Sequence, residues 1–239
     1  MKEPKAFLNA EWRKLIIANY TVNPEILAPY LPAGTQLDLW NNLCYVSLVG
    51  FMFLNTRLLG KKIPFHSDFE EVNLRFYVKY TTPEGELRRG VVFIREIVPK
   101  LTLTLVANTI YKENYRTMKM EHQWQHSSSD LRVSYSFKKK KWHRFSVVTD
   151  LNLEAIPEGS EAEFITEHYW GYTRLSDKKT GQYGVEHPRW SVYPVRDYQI
   201  DVDFETVYGK DFAFLNLQLP VSVYLAEGSE IIVRSGGKI

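Results

Sequence analysis

Residues 70–80 read EEVNLRFYVKY. Val72, Leu74, Phe76 and Val78 fall on one face of an extended chain, and Asn73, Arg75, Tyr77 and Lys79 fall on the other. Alternation of this length signals a β-strand, because successive side chains of a strand point to opposite faces. Before it, CYVSLVGFMFLN over 44–55 is nearly all apolar, which marks a central strand buried on both faces. After it, TPEGE makes a turn and RRGVVFIREIV over 88–98 makes the next strand. Pro99 ends that pairing, since it disfavours helix at Val98 and brings no backbone donor. These strands put the chain in the mainly β class, and an aromatic content of 14% agrees.

Working outward, residues 5–16 read as a short helix or an irregular start, and 17–22 as a strand. Asn23-Pro24 opens a short helix, PEILAPYL, with an acceptor at the cap and proline at the first helical position. Residues 36–40 read as a strand. KLTLTLVANTIYK over 100–112 fits both a helix and a strand, and its length favours the helix. Strands over 131–137 and 142–148 flank KKKK as a hairpin. Ser160 and Glu163 form a capping-box pattern for a helix over 160–168. A second hairpin, 169–176 and 182–192, surrounds SDKKTG, and strands follow at 200–207, 213–218 and 221–234. So many strands leave exposed edges unless the sheet closes, so a closed or nearly closed antiparallel-rich barrel is expected. No repeat or long linker interrupts the chain, so 1–239 reads as one domain with few short helices.

Composition narrows the partners. The 239 residues carry 30 basic and 28 acidic side chains, a net charge of +2, which gives no field for nucleic acid or an anionic membrane. The lysines at 138–141 sit at a hairpin tip, where they are solvated. Cys44 is the one cysteine, so an internal disulfide and a cysteine-based zinc site are both excluded. Its apolar neighbours make it a small core residue. Leu15 to Ala18 is too short a run for a signal peptide, and no stretch approaches the roughly 20 apolar residues of a membrane helix. A cytoplasmic protein is expected. His122 and His126 are spaced i, i+4, but Gln123 stands where the zincin pattern needs Glu, so no metal is expected. No glycine-rich phosphate loop occurs, and no cofactor is expected.

The strings VSLVGFMFLNT, IPFHSDFEEVNLRFYV, GVVFIREIVPK, EHYWGYTR and VEHPRW resemble the YqjF-like family, a prokaryotic domain of unknown function. The resemblance runs along nearly the whole chain. That family in turn is similar to the acetoacetate-decarboxylase-like superfamily, whose fold is a single-domain β-barrel with a central cavity. PEILAPYLPAGTQLD resembles its opening helix and turn, and REIVPK resembles the stretch around its Schiff-base lysine. The resemblance implies that Lys100 is the nucleophile and Glu96 the nearby acid. The enzymes carry a second lysine directly after the nucleophile; here Leu101 follows Lys100. Imine chemistry needs a neutral amine, whereas a free lysine titrates near ~10.4.

Several groups are candidates for a site. Arg95 and Glu96 are strand neighbours and point to opposite faces. Glu96 and Lys100 either face a cavity and handle a carbonyl or carboxylate, or pair at a strand end. His66 with Glu70 or Glu71 is a possible acid–base pair. Asn73 and Arg75 line a cavity if the polar face of their strand points inward, and an inward Arg75 suits a carboxylate. If the SDKKTG turn is symmetric, Trp170 lies opposite Pro188 and Tyr172 opposite Glu186, with Trp190, His168, His187 and Glu167 nearby. That cluster is either hairpin packing or a pocket wall with a Glu–His dyad. The leading reading is a small-molecule-binding barrel whose ligand is a small organic acid or ketone. The alternatives are Schiff-base chemistry on a β-keto acid through Lys100, and a non-catalytic interaction module that forms a homo-oligomer.

Overall fold

The structure, a computed structural model, describes residues 6–101, 104 and 114–239. Its long strands are β1 (Ala6–Thr21), β2 (Tyr45–Leu58), β3 (Phe69–Thr81), β4 (Leu87–Val98), β5 (Lys119–His126), β6 (Leu131–Lys139), β7 (Lys141–Thr149), β8 (Trp170–Ser176), β9 (Lys179–Glu186), β10 (Val195–Asp201) and β11 (Ser222–Arg234). Short helices are α1 (Pro24–Leu27), α2 (Glu161–Thr166) and α3 (Phe204–Tyr208). Among the described residues no helix is long and apolar enough to cross a membrane.

The main sheet runs β11-β1-β2-β3-β4-β8-β9, and β9 pairs back onto β11 through Val185↔Val233 and Glu186↔Ile232. The ring is therefore closed, which removes the edges of these strands. One joint is parallel: Trp170 pairs with Gly90 and Gly171 with Val91. A Cβ on Gly90 would lie 2.4 Å from the Trp170 carbonyl oxygen, so the joint needs glycine there. A second, antiparallel sheet, ordered β10-β7-β6-β5, packs on the outside of the ring. The contact is tightest at Gly50, where an added Cβ would lie 2.3 Å from Phe145 Cζ and 3.0 Å from Tyr135 Cδ2.

Alternation divides the side chains between two cores. Val72, Leu74, Phe76 and Val78 are fully buried between the ring and the outer sheet. Each such burial contributes about 1.5–3 kcal/mol. Tyr77, Phe51, Phe53 and Val91 point into the ring with Phe164 and Ile165 of α2. Ser160 caps α2 by accepting from the Glu163 backbone N–H at 3.2 Å, as its sequence implies. Asn23 caps α1 through the Glu25 N–H at 3.0 Å.

Two expectations are corrected. Residues 6–21 form one long strand, with the ladder interrupted between Arg13 and Ile16, where Lys14 takes a φ of 54°. The regions 200–207 and 213–218 are largely helical: Asp203 caps α3 by accepting from the Thr206 N–H at 2.9 Å, and Lys210–Leu217 is a 3-10 helix. His122 and His126 lie on strand β5, where the i, i+4 spacing forms no helical face. The helix expected over 100–112 falls almost wholly outside the described residues.

Candidate functional site

The inside of the ring holds a cavity of about 340 Å³ to which all seven strands contribute. Its walls are mostly apolar, with Trp12, Phe51, Phe53, Phe93 and Trp190 among them. Polar groups converge on β3 and β4. Glu71, Asn73 and Arg75 take successive inward positions on β3. Opposite them, β4 carries a bulge: Arg75 pairs with Phe93, but Leu74 pairs with Arg95 and Asn73 with Glu96. Ile94 is the extra residue, so Ile94 and Arg95 both lie outside the ring and Glu96 returns to the inside.

This geometry places each residue singled out from the sequence. Asn73, Arg75, Glu96, His66, Trp170 and His187 border the cavity. Arg95 does not; its Nη1 donates to the Val207 carbonyl at the end of α3 in the outer layer. Lys100 does not line the cavity either, and its Nζ donates to the Phe65 carbonyl. The β8–β9 turn is tighter than a symmetric SDKKTG loop, so Trp170 pairs with Gly184 and Tyr172 with Gln182. The inward position is then Gly171, with the Tyr183 ring over it, and Tyr172 is fully buried in the outer core with its hydroxyl 3.4 Å from the Arg88 carbonyl. Arg88 lies 4.3 Å over the Trp170 ring. Glu70, one of the two expected partners of His66, engages His122 at 2.7 Å, and His66 Nδ1 lies 2.8 Å from the Pro64 carbonyl. His187 stacks on Trp190 at 4.2 Å and against Tyr169 at 4.7 Å; burial draws its basicity down.

The hydrogen bonds at the polar end are specific. Asn73 Nδ2 donates to Glu71 at 3.0 Å and Tyr115 OH donates to the same carboxylate at 3.2 Å. Arg75 is 8% exposed, donates through Nη2 to the Ile165 carbonyl at 3.4 Å, and lies 5.7 Å over the Tyr77 ring. Among the described residues no carboxylate lies within ion-pair distance of Arg75, and its Nε is buried without a partner. Asn73 Oδ1, Thr56 Oγ1, Trp12 Nε1 and His168 Nδ1 are buried cavity-lining atoms in the same condition.

His168 was visible in the sequence as part of an aromatic cluster, but its partner was not. Asp38 lies 130 positions away and takes His168 Nε2 at 3.2 Å and Arg89 Nε at 2.6 Å on one carboxylate oxygen. Burial pulls the imidazole of His168 down to about 4, more than the Asp38 hydrogen bond raises it. Burial works to raise the Asp38 carboxyl, and the His168 and Arg89 hydrogen bonds outweigh it, holding it below the usual range. Tyr115, Trp12 and Thr56 also lay outside the candidate set, and nothing local in their sequence marks them.

The profile of a family described as uncharacterised conserved proteins, DUF2071, matches residues 9–230. The uncharacterised protein YqjF of Bacillus subtilis is 33% identical over 75 residues, a stretch that spans 31% of this chain and 31% of that relative's length. Among solved structures, acetoacetate decarboxylase from Legionella pneumophila superposes with a TM-score of 0.65 at 11% identity, covering all of this chain and 90% of that one. An acetoacetate decarboxylase-like enzyme from Sphingomonas wittichii RW1 gives 0.66 at 10% identity over 98% and 94% of the two chains. The enduracididine biosynthesis enzyme MppR complexed with pyruvate gives 0.66 at 10% identity over 100% and 91%. At these identities the likeness establishes the fold: a mainly β, acetoacetate-decarboxylase-like barrel.

Proposed function

Because the chain belongs to the DUF2071 family, whose proteins are uncharacterised, its function has to be read from its own cavity, and we propose that it binds a small organic acid whose carboxylate sits on Arg75. The observation that carries this reading is the buried Arg75 guanidinium without a carboxylate partner among the described residues. An uncompensated buried charge costs several kcal/mol, roughly, and an anionic ligand removes that cost. The planar fork of arginine matches a carboxylate in two parallel hydrogen bonds. Phe51, Phe53, Phe93 and Trp12 then surround the apolar body of the ligand. A neighbour of the same fold is known with pyruvate, a small organic acid.

Calorimetric titration with a panel of aromatic and branched-chain carboxylates tests this, with the matching amides as controls. The acids are expected to bind and the amides not. Arg75→Met is expected to weaken binding by about 10- to 100-fold, the worth of a charged hydrogen-bonded pair. Equal binding of amides and acids, or an unchanged affinity in Arg75→Met, would overturn the reading.

The placement of Lys100 outside the cavity lining gives imine chemistry no support. The single cysteine and the near-neutral charge suit a cytoplasmic protein whose partner is a small molecule. Self-association has one observation in its favour: Leu217, Leu219 and Val221 stand exposed in a short run. Light scattering that shows a monomer at high concentration would remove it.

A further inference from the structure

His168 is built to present one particular nitrogen. The Asp38 backbone N–H donates to the Tyr77 carbonyl at 3.0 Å, which fixes the Asp38 loop against β3. Its carboxylate, held also by Arg89, can only accept, so His168 Nε2 carries the hydrogen in that contact. A neutral imidazole has one N–H, so Nδ1 is left as a bare acceptor. Tyr77 at 4.8 Å and Phe164 at 5.0 Å hold the ring from two sides. The side chain is 1% exposed, lines the cavity, and its Nδ1 has no donor among the described residues. Burial keeps the ring neutral, with its basicity drawn down to about 4.

This acceptor is close to the guanidinium. Arg75 and His168 share the Tyr77 ring, the Arg75 charge acts on the imidazole, and Arg75 Nη2 reaches the carbonyl of Ile165 near the end of α2, just before His168 in the chain. Asn73 Oδ1, at the next inward position of β3, is a second acceptor without a donor. A carboxylate on Arg75 therefore brings only its nearest carbons to these acceptors.

We propose that the acid held by Arg75 is a hydroxy acid, with a hydroxyl close to the carboxylate that donates to His168 Nδ1. This rests on the carboxylate reading given above and adds the substrate class. A keto acid brings only further acceptors, and a plain acid brings nothing, so both leave the buried nitrogen unpaired. Asp38 is a positioning residue: it selects the tautomer and touches no ligand.

The test titrates the full chain with 2-hydroxy-3-phenylpropanoate, 2-oxo-3-phenylpropanoate and 3-phenylpropanoate. The hydroxy acid is expected to bind at least tenfold more tightly than either analogue. In Asp38→Ala the acceptor for Nε2 is lost and the preference for the hydroxy acid is expected to fall, whereas Asp38→Asn keeps an amide oxygen that accepts from both Nε2 and Arg89 and is expected to retain it. His168→Phe is a second variant, in which the hydroxy-to-plain ratio is expected to fall to about one. Long-range proton–nitrogen correlation spectra of the unliganded protein read the tautomer directly: a hydrogen on Nε2 is expected, and one on Nδ1 would overturn the inference. Equal binding of all three acids, or a keto preference in the unmodified protein, overturns the hydroxyl assignment and leaves the carboxylate reading standing. If none of the three binds, the carboxylate reading falls and the inference falls with it.

Discussion

Acidification from pH 7 to pH 4 forces a proton onto His168, and the fold resists it. The imidazole titrates near 6.5 in the unfolded chain and about 4 in the folded one, because burial disfavours its charged form. The unfolded chain therefore takes the proton first. Stability is intact above pH 6.5 and falls as the pH drops towards 4, where His168 accounts for a loss of about 3 kcal/mol. The depressed Asp38 carboxyl acts in the same direction, at lower pH. Many carboxylates also contribute to acid destabilisation, so the informative quantity is a difference between proteins. His168→Phe keeps a ring between Tyr77 and Phe164 and leaves Asp38 paired with Arg89. Urea unfolding would be followed by tryptophan fluorescence at pH 7 and pH 4 for both proteins. With a slope of about 3 kcal/mol per molar urea, the midpoint of the unmodified protein should fall by roughly 1 M more than that of the variant. An equal fall in the two proteins would refute a neutral, buried His168.

Three other outcomes follow from packing and placement. Gly50→Ala drives a methyl against Phe145 and Tyr135 and should cost about 1–3 kcal/mol in thermal unfolding; an unchanged Tm would contradict the close contact of sheet and ring. Burial raises the Cys44 thiol to about 11, so a disulfide reagent should label it only as the protein unfolds, and fast labelling in native buffer would count against its burial. Borohydride reduction in the presence of ketones and keto acids should leave the Lys100 peptide unmodified; an adduct there that disappears in Lys100→Met would establish imine chemistry.

Local patterning made the β architecture legible where one face of a strand is apolar. EEVNLRFYVKY reads as two faces, and the structure buries Val72, Leu74, Phe76 and Val78 on one while Asn73 and Arg75 border the cavity on the other. The caps at Asn23 and Ser160 were equally local and equally readable. LNAEWRKL at the start of β1 has the same alternation, but the charges at Glu11, Arg13 and Lys14 gave it the look of a helix or an irregular start. FETVY and the aromatic run after it passed for strands, because the cap at Asp203 and the φ of 114° at Gly209 decide the conformation there. At the site, Arg75 followed from its strand face. The Asp38–His168 contact did not, because it joins a loop to the link between α2 and β8, and no spacing in the chain records such a meeting. The register of β8 against β9 was also beyond reach, since it depends on how tightly two residues turn.

The bulge at Ile94 bears on how chemistry can be carried between proteins of this shape. Upstream of it the odd-numbered positions of β4 face the cavity, and downstream the even-numbered ones do. One backbone insertion thus decides that the chamber receives the acid Glu96 while the base Arg95 meets α3 outside. Loss of Ile94 would restore a plain ladder and leave both orientations unchanged. A straight strand of the same length would exchange them, turning an inward carboxylate into an inward guanidinium without altering a single letter. In this architecture, positional correspondence to a distant homologue carries chemical meaning only as far as the nearest slip in the ladder.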